Sequence, residues 1–79
     1  MRYLTRIMHY PEGDQREIEH ELQFGSLVDV NGQPLSPPLP TSRMIVYRVR
    51  SVRTEEERNR DVHHFHLEQV FPGELREYV

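Results

Sequence analysis

Two alternating runs in the second half of the chain constrain its fold more than any other feature. MIVYRVRSVR (44–53) and DVHHFHLEQVF (61–71) switch between apolar and polar residues with a period of two, and the charged stretch TEEERNR (54–60) joins them. Side chains of a strand point alternately to opposite faces, so the pattern predicts a long antiparallel hairpin. Matching apolar to apolar sets Ile45, Tyr47 and Val49 beside Phe65 and Leu67 as the core face. Met44, Val46, Arg48, Arg50 and Val52 then share the second face with His64, His66 and Glu68. Two registers keep that matching. One sets Arg50 against His64 and Arg48 against His66; the other sets Arg50 against His66 and Arg48 against Glu68. Like charges directly opposite are unfavourable, so the second gains as the histidines protonate. A slip of one residue would turn the arginines into the core and is excluded.

The segments before this hairpin read less evenly. RYLTRIMHY (2–10) is a strand candidate, and PEGD (11–14) follows it as a turn, with proline presetting φ and glycine free to turn left-handed. For residues 15–24 two readings stand. As a strand, Ile18, His20, Leu22 and Phe24 lie on one face and Glu17, Glu19, Glu21 and Gln23 on the other. As a short helix, Asp14 would be the N-cap and Gly25 the terminator. The strand is preferred, because the helix would have an apolar face of only Ile18 and Leu22. Arg6 opposite one of the glutamates is then an expected cross-strand pair. Leu27, Val28 and Val30 carry a short strand into the Asn31-Gly32 turn. The Pro-rich segment 33–43, QPLSPPLPTSR, cannot join a sheet interior and reads as a stiff crossing loop or edge segment. The tail PGELREYV is expected to begin with a turn and end in one helical turn using Leu75 and Tyr78.

Composition supports strand over helix. The 79 residues contain no alanine and no lysine, eight valines, four tyrosines and ten arginines. Cysteine is absent, which removes disulfides and thiolate metal sites and suits a reducing compartment. No apolar run approaches the ~18 residues of a membrane span. Arg2, Arg6 and His9 interrupt the N-terminal segment, so it lacks a signal-peptide apolar region. The default expectation is therefore a cytoplasmic protein. Together these features predict one small, mainly β domain over residues 1–79: about five antiparallel strands in a meander curled into a partly open barrel. An SH3-like form ranks first and an OB-like form second.

Function is weakly written in the chain. No nucleophile motif, cofactor loop or complete metal site stands out, so no enzyme activity and no cofactor are expected. Glu17, Glu19 and Glu21, standing on one strand face at about 7 Å intervals, would offer a docking surface for a basic protein partner. The expected function is accordingly a non-enzymatic protein-interaction or regulatory module, a small subunit of a larger assembly or a homo-oligomer. The alternative is a nucleic-acid-binding barrel using Arg48, Arg50 and Arg53. The net charge of −3 and the burial of Tyr47 and Phe65, which removes a stacking platform, weigh against it. His64 and His66, two apart with Glu68 next on the same face, are a weak metal candidate, since further ligands would have to come from His9 or His20 on the other hairpin. The same cluster, with His63, could instead change charge near pH 6–7. Pro37-Pro38-Leu39-Pro40 resembles a short ligand for WW or SH3 domains, but reads first as structure. Asp29 is a candidate buried acid, but the favoured reading makes it the outward residue of a half-buried strand or a helper of the Asn31-Gly32 turn.

Overall fold

In the computed structural model, which describes residues 2–79, six strands and one helical turn follow in chain order. They are β1 (Tyr3–His9), β2 (Gln15–Ile18), β3 (Leu27–Val28), β4 (Pro34–Leu35), β5 (Val46–Glu56), β6 (Arg60–Val70) and α1 (Pro72–Leu75). All six strands join one sheet in the order β2-β1-β6-β5-β3-β4, curled into a half-barrel with β2 and β4 at its two ends. The protein is thus a small, mainly β domain with a partly open, curved sheet, as the alternation predicts.

The central hairpin is longer than its apolar pattern. Each strand has eleven residues, and pairing continues through Thr54, Glu55 and Glu56, leaving only Glu57–Asn59 as the turn. The Glu57 amide bonds the Arg60 carbonyl at 2.8 Å, and Arg60 reaches Glu57 Oε1 at 2.5 Å, so backbone closure carries the ladder into charged residues. Of the two expected registers, the half that sets Arg48 opposite Glu68 is formed. Arg50 does not face His66, because the ladder slips between Val49 and Ser51: Val49 faces Leu67, whereas Ser51 faces His66. This β-bulge accommodates Arg50 as an extra residue and bends the strand. It also exchanges the faces beyond it. Val52 now lies opposite Phe65 and Arg53 opposite His64, the reverse of strict alternation.

The sheet is packed on both sides. Met8, Ile18, Leu22, Val28, Tyr47, Val49, Phe65 and Leu67 form one core cluster, which contains most of the expected core face. Ile45 is the exception. It lies one residue before β5 and is exposed. On the second face Val46 and Val70, directly paired, join Leu27, Leu39 and Leu75 in another buried cluster. Leu39, from the Pro-rich segment, and Leu75, from α1, cover that end of the face, and the Leu39 amide bonds the Tyr78 carbonyl at 2.6 Å. The Pro-rich segment is structural in this sense. It contributes Pro34 to edge strand β4, where a missing amide is tolerated, and then crosses to β5.

The topology departs from a meander. β1 and β2 form the expected hairpin, but β1 then runs parallel to β6, with Thr5 opposite Val62, Ile7 opposite His64 and His9 opposite His66. A chain leaving β2 at one end of the sheet must therefore travel to β3 near the other. Residues 19–26 make that crossing, which is why residues 15–24 are neither one continuous strand nor a helix. Strand ends at Ile18, and Leu22 is buried in the first cluster as the crossing segment passes over it. Gly25 and Ser26 then bond the backbone of Val49. Phe24, expected on the apolar face, is 74% exposed. Asp29 proves to be a turn residue. Its Oδ1 accepts the Asn31 and Gln33 amides, each at 2.9 Å, while Gly32 adopts a φ of +83°.

Candidate functional site

The parallel pairing of β1 with β6 assembles a cluster that neither hairpin contains alone. His9, His64 and His66 project from the second face, toward the hairpin tip and away from the end covered by α1. His9 Nε2 and His64 Nδ1 share a hydrogen bond of 2.7 Å. The His9 and His66 rings stack, 4.5 Å between centroids and 16° between planes. The other nitrogen of His64, Nε2, is buried without a hydrogen bond and lies 3.3 Å from Glu55 Oε2. His64 thus stands between a carboxylate and a second imidazole.

Electrostatics favour the neutral ring at His9 and at His66. Burial pushes the His9 imidazole below its ordinary range, and His66, His64 and Arg53 add repulsion. Burial likewise lowers His66, followed by Arg50, Arg53 and His64. The bulge is responsible for part of this, because it brings Arg53 onto the histidine face. As a metal site the cluster is poorly formed. The nearly parallel rings of His9 and His66 run their in-plane lone pairs side by side, and the His9–His64 contact already uses one nitrogen of each ring. Among the described residues no three histidine or carboxylate side chains are placed to hold one cation. His20, the other ligand considered from the sequence, lies elsewhere, with Nε2 2.8 Å from the Gly32 carbonyl oxygen.

The arginines do not form a row. Arg48 is held by Glu68 at 2.7 Å and by Glu74 of α1, and Tyr78 lies beside it. The hydrogen bonds it donates to Glu68 and then to Glu74 raise its pKa above the ordinary guanidinium value. Arg50 occupies the bulge, exposed, and Arg53 is 3.8 Å from Glu55. The three are thus spread over an ion-paired end, a bulge and the histidine face. The acidic residues are divided too. Glu17 lies on β2, while Glu19 and Glu21 fall in the crossing segment. Glu21 pairs with Arg6 at 2.6 Å and with His63 at 2.9 Å. Burial opposes ionisation of Glu21, but the bonds from Arg6 and His63 outweigh it and hold the carboxyl below its usual range. The expected Arg6–Glu pair therefore exists, made to a residue beyond the strand rather than across it.

A second feature is the outer edge of β5. β3 pairs with Tyr47 and Arg48 only, and Gly25 and Ser26 cover Val49. From Ser51 to Glu56 no strand lies on that side among the described residues. Backbone groups in an antiparallel ladder alternate between partner and outer edge. Counting back from the Glu57–Arg60 bond, Glu55 and Arg53 turn toward β6, while Glu56, Thr54 and Val52 turn outward. Val52 is exposed, and so is Phe24, one residue before the point where the cover of β5 ends. Elsewhere, a cleft of about 330 Å³ opens between the 11–14 and 30–31 turns, lined by Tyr10, Glu12, Arg16 and Tyr47.

These elements fall within one family unit. A family model described as an uncharacterised Treponema protein matches residues 5–78. The chain belongs to this family. The matched stretch takes in the histidine cluster, the β5 edge and α1, so the uncharacterised Treponema family is defined over nearly the whole of the fold that positions them. No curated protein and no solved structure matches. Among the described residues, no helix is long and apolar enough to cross a membrane.

Of the residues singled out in the sequence, Arg48 and Glu68 meet as in one of the two expected registers, and His64 and His66 share a face. His9 was considered as a further ligand without being placed beside His64 and His66, and Glu55 was missed as a member of that cluster. The odd-position face of RYLTRIMHY contains His9, but nothing in a local period says which strand will lie beside it.

Proposed function

We propose that the protein is a non-enzymatic interaction module, a small subunit or regulator whose partner adds to the sheet along the outer edge of β5. One observation carries this reading: the longest stretch of open edge runs from Ser51 to Glu56, with three backbone amides directed outward. Unpaired edge amides and carbonyls are a template for another strand, and natural folds usually blunt or cover them. The exposed Val52 and Phe24 supply apolar contact beside that edge. The acidic residues support the reading less than the sequence alone implied, because Glu21 is engaged within the chain. The nucleic-acid alternative is weakened by Arg48, whose guanidinium is occupied by two carboxylates.

The reading is tested with Thr54→Pro, which removes an outward amide without removing a bond to β6. Tagged wild-type protein expressed in its native host should retain a protein partner that Thr54→Pro loses, while circular dichroism shows the variant folded. In the purified complex, the Val52, Thr54 and Glu56 amides should exchange with solvent more slowly than in the free chain. A partner retained equally by a folded Thr54→Pro, or unchanged exchange at these amides, overturns the proposal.

A further inference from the structure

The charge pattern of the open edge points to its occupant. Building on the edge-binding reading above, we propose that the strand added to β5 is β5 of a second copy of this chain, antiparallel, about a two-fold axis through Thr54.

Isologous pairing requires a surface complementary to itself. In an antiparallel pair centred on Thr54, Arg53 of each copy lies opposite Glu55 of the other, and Val52 lies opposite Glu56. Centring the axis on Arg53 instead would set arginine against arginine, and centring it on Glu55 would set glutamate against glutamate. Within the open stretch Ser51–Glu56, the Thr54 register is the one of these three that opposes unlike charges and puts no charge on the axis, which is also how opposed residues stabilise a sheet. The backbone parity agrees. Val52, Thr54 and Glu56 are the residues whose amides and carbonyls face outward, so in this register Thr54 bonds Thr54 and Val52 bonds Glu56 across the axis. Arg53 and Glu55 then form the non-hydrogen-bonded pair, in which side chains approach most closely.

The bulge at Arg50 makes this possible. Without it, alternation from Val49 would turn Arg53 and Glu55 outward in the backbone sense and place their side chains on the face opposite the histidines. With it, Arg53 and Glu55 share the His64 face, where they already lie 3.8 Å apart within one chain. Dimerisation exchanges that long contact for two contacts across the axis and leaves Glu55 beside His64 in each copy. The two half-barrels become one continuous sheet, and the open stretch of both central strands is covered at once.

The test is a charge exchange read by analytical ultracentrifugation over a concentration series. Wild-type protein is expected to dimerise reversibly. Arg53→Glu alone and Glu55→Arg alone each oppose like charges twice per interface and should weaken dimerisation by about tenfold or more. Mixing the two single variants should restore a dimer, because the two carboxylates of one chain then face the two guanidinium groups of the other. The double variant Arg53→Glu/Glu55→Arg should restore a homodimer. A wild-type chain that stays monomeric at millimolar concentration overturns the proposal, as do single variants that dimerise like wild type or a mixture that does not. If wild type is monomeric yet Thr54→Pro releases a host protein, the second-copy assignment fails while the edge reading stands. If Thr54→Pro releases nothing as well, both fail.

Discussion

Gly32→Ala isolates a contact between a turn and the core that is invisible in either alone. Gly32 closes the β3–β4 turn with a φ of +83°, and a Cβ built there would collide with Met8 Cε and approach its Sδ to 2.7 Å. Met8 is fully buried on β1, in the cluster with Phe65 and Val28. Two terms therefore add. A left-handed alanine costs about 1 kcal/mol. Overpacking costs roughly 1–3 kcal/mol, and the lower half applies because a thioether end is flexible even when enclosed. The sum is about 2–3 kcal/mol, against a total stability on the order of 5–15 kcal/mol for a natural domain. For a chain of this size the thermal midpoint should fall by at least about 8 °C. The second term is separable. Met8→Val removes the Sδ and Cε atoms that the new methyl would meet, so Gly32→Ala made in that background should cost only about 1 kcal/mol. Urea denaturation followed by circular dichroism on the four proteins of this cycle measures the coupling. A cost below about 0.5 kcal/mol, or the same cost in both backgrounds, refutes the argument that Gly32 is required by Met8.

Stability should decline on mild acidification. His9 and His66 are held below the ordinary histidine pKa of ~6.5, so the unfolded chain takes up protons first; their contribution is complete above that pH and is lost as pH falls through the folded values. Denaturant midpoints that stay flat between neutral pH and about pH 5 would contradict this, and Arg53→Gln should raise both values in an NMR titration of the ring protons. Replacing Arg48 by Met leaves Glu68 and Glu74 without their shared guanidinium and should cost about 1 kcal/mol while loosening α1. Hydrogen exchange reads it: the Leu39 amide, bonded to the Tyr78 carbonyl, should exchange faster, and unchanged rates would show that the ion pairs do not hold the tail. In the crossing segment, Leu22→Ala should cost about 2–4 kcal/mol, whereas Phe24→Ser should stay within about 0.5 kcal/mol. Equal effects of the two in chemical denaturation would mean that Leu22 does not anchor the crossing.

The central hairpin was the most legible part of the chain. Period-two alternation identified both strands and the Tyr47, Val49, Phe65 and Leu67 face, and narrowed the partner of Arg48 to His66 or Glu68, because these follow from which side of a strand each residue occupies. The turns at Gly13 and Gly32 were legible for a similar local reason. The bulge at Arg50 was not. One extra residue in a run of YRVRSVR leaves the composition of the strand unchanged, yet it moves Val52 and Arg53 across the sheet. The glutamates misled by the same route, since perfect alternation in REIEHELQF continues past Ile18 although the ladder does not.

What the residues determined alone was therefore the mainly β class, most of the strands and most of their faces, with strand or helix still open for residues 15–24. What only the tertiary structure decided was adjacency. Backbone pairing is nearly indifferent to sequence, so the choice of β1 as a parallel neighbour of β6, over the antiparallel order of a meander, depends on how both faces of the assembled sheet are filled. The choice left residues 19–26 to cross the sheet and buried Leu22. It also put His9 against His64 and His66. An apolar residue announces that it will be buried; a histidine on a strand does not announce which strand it will meet.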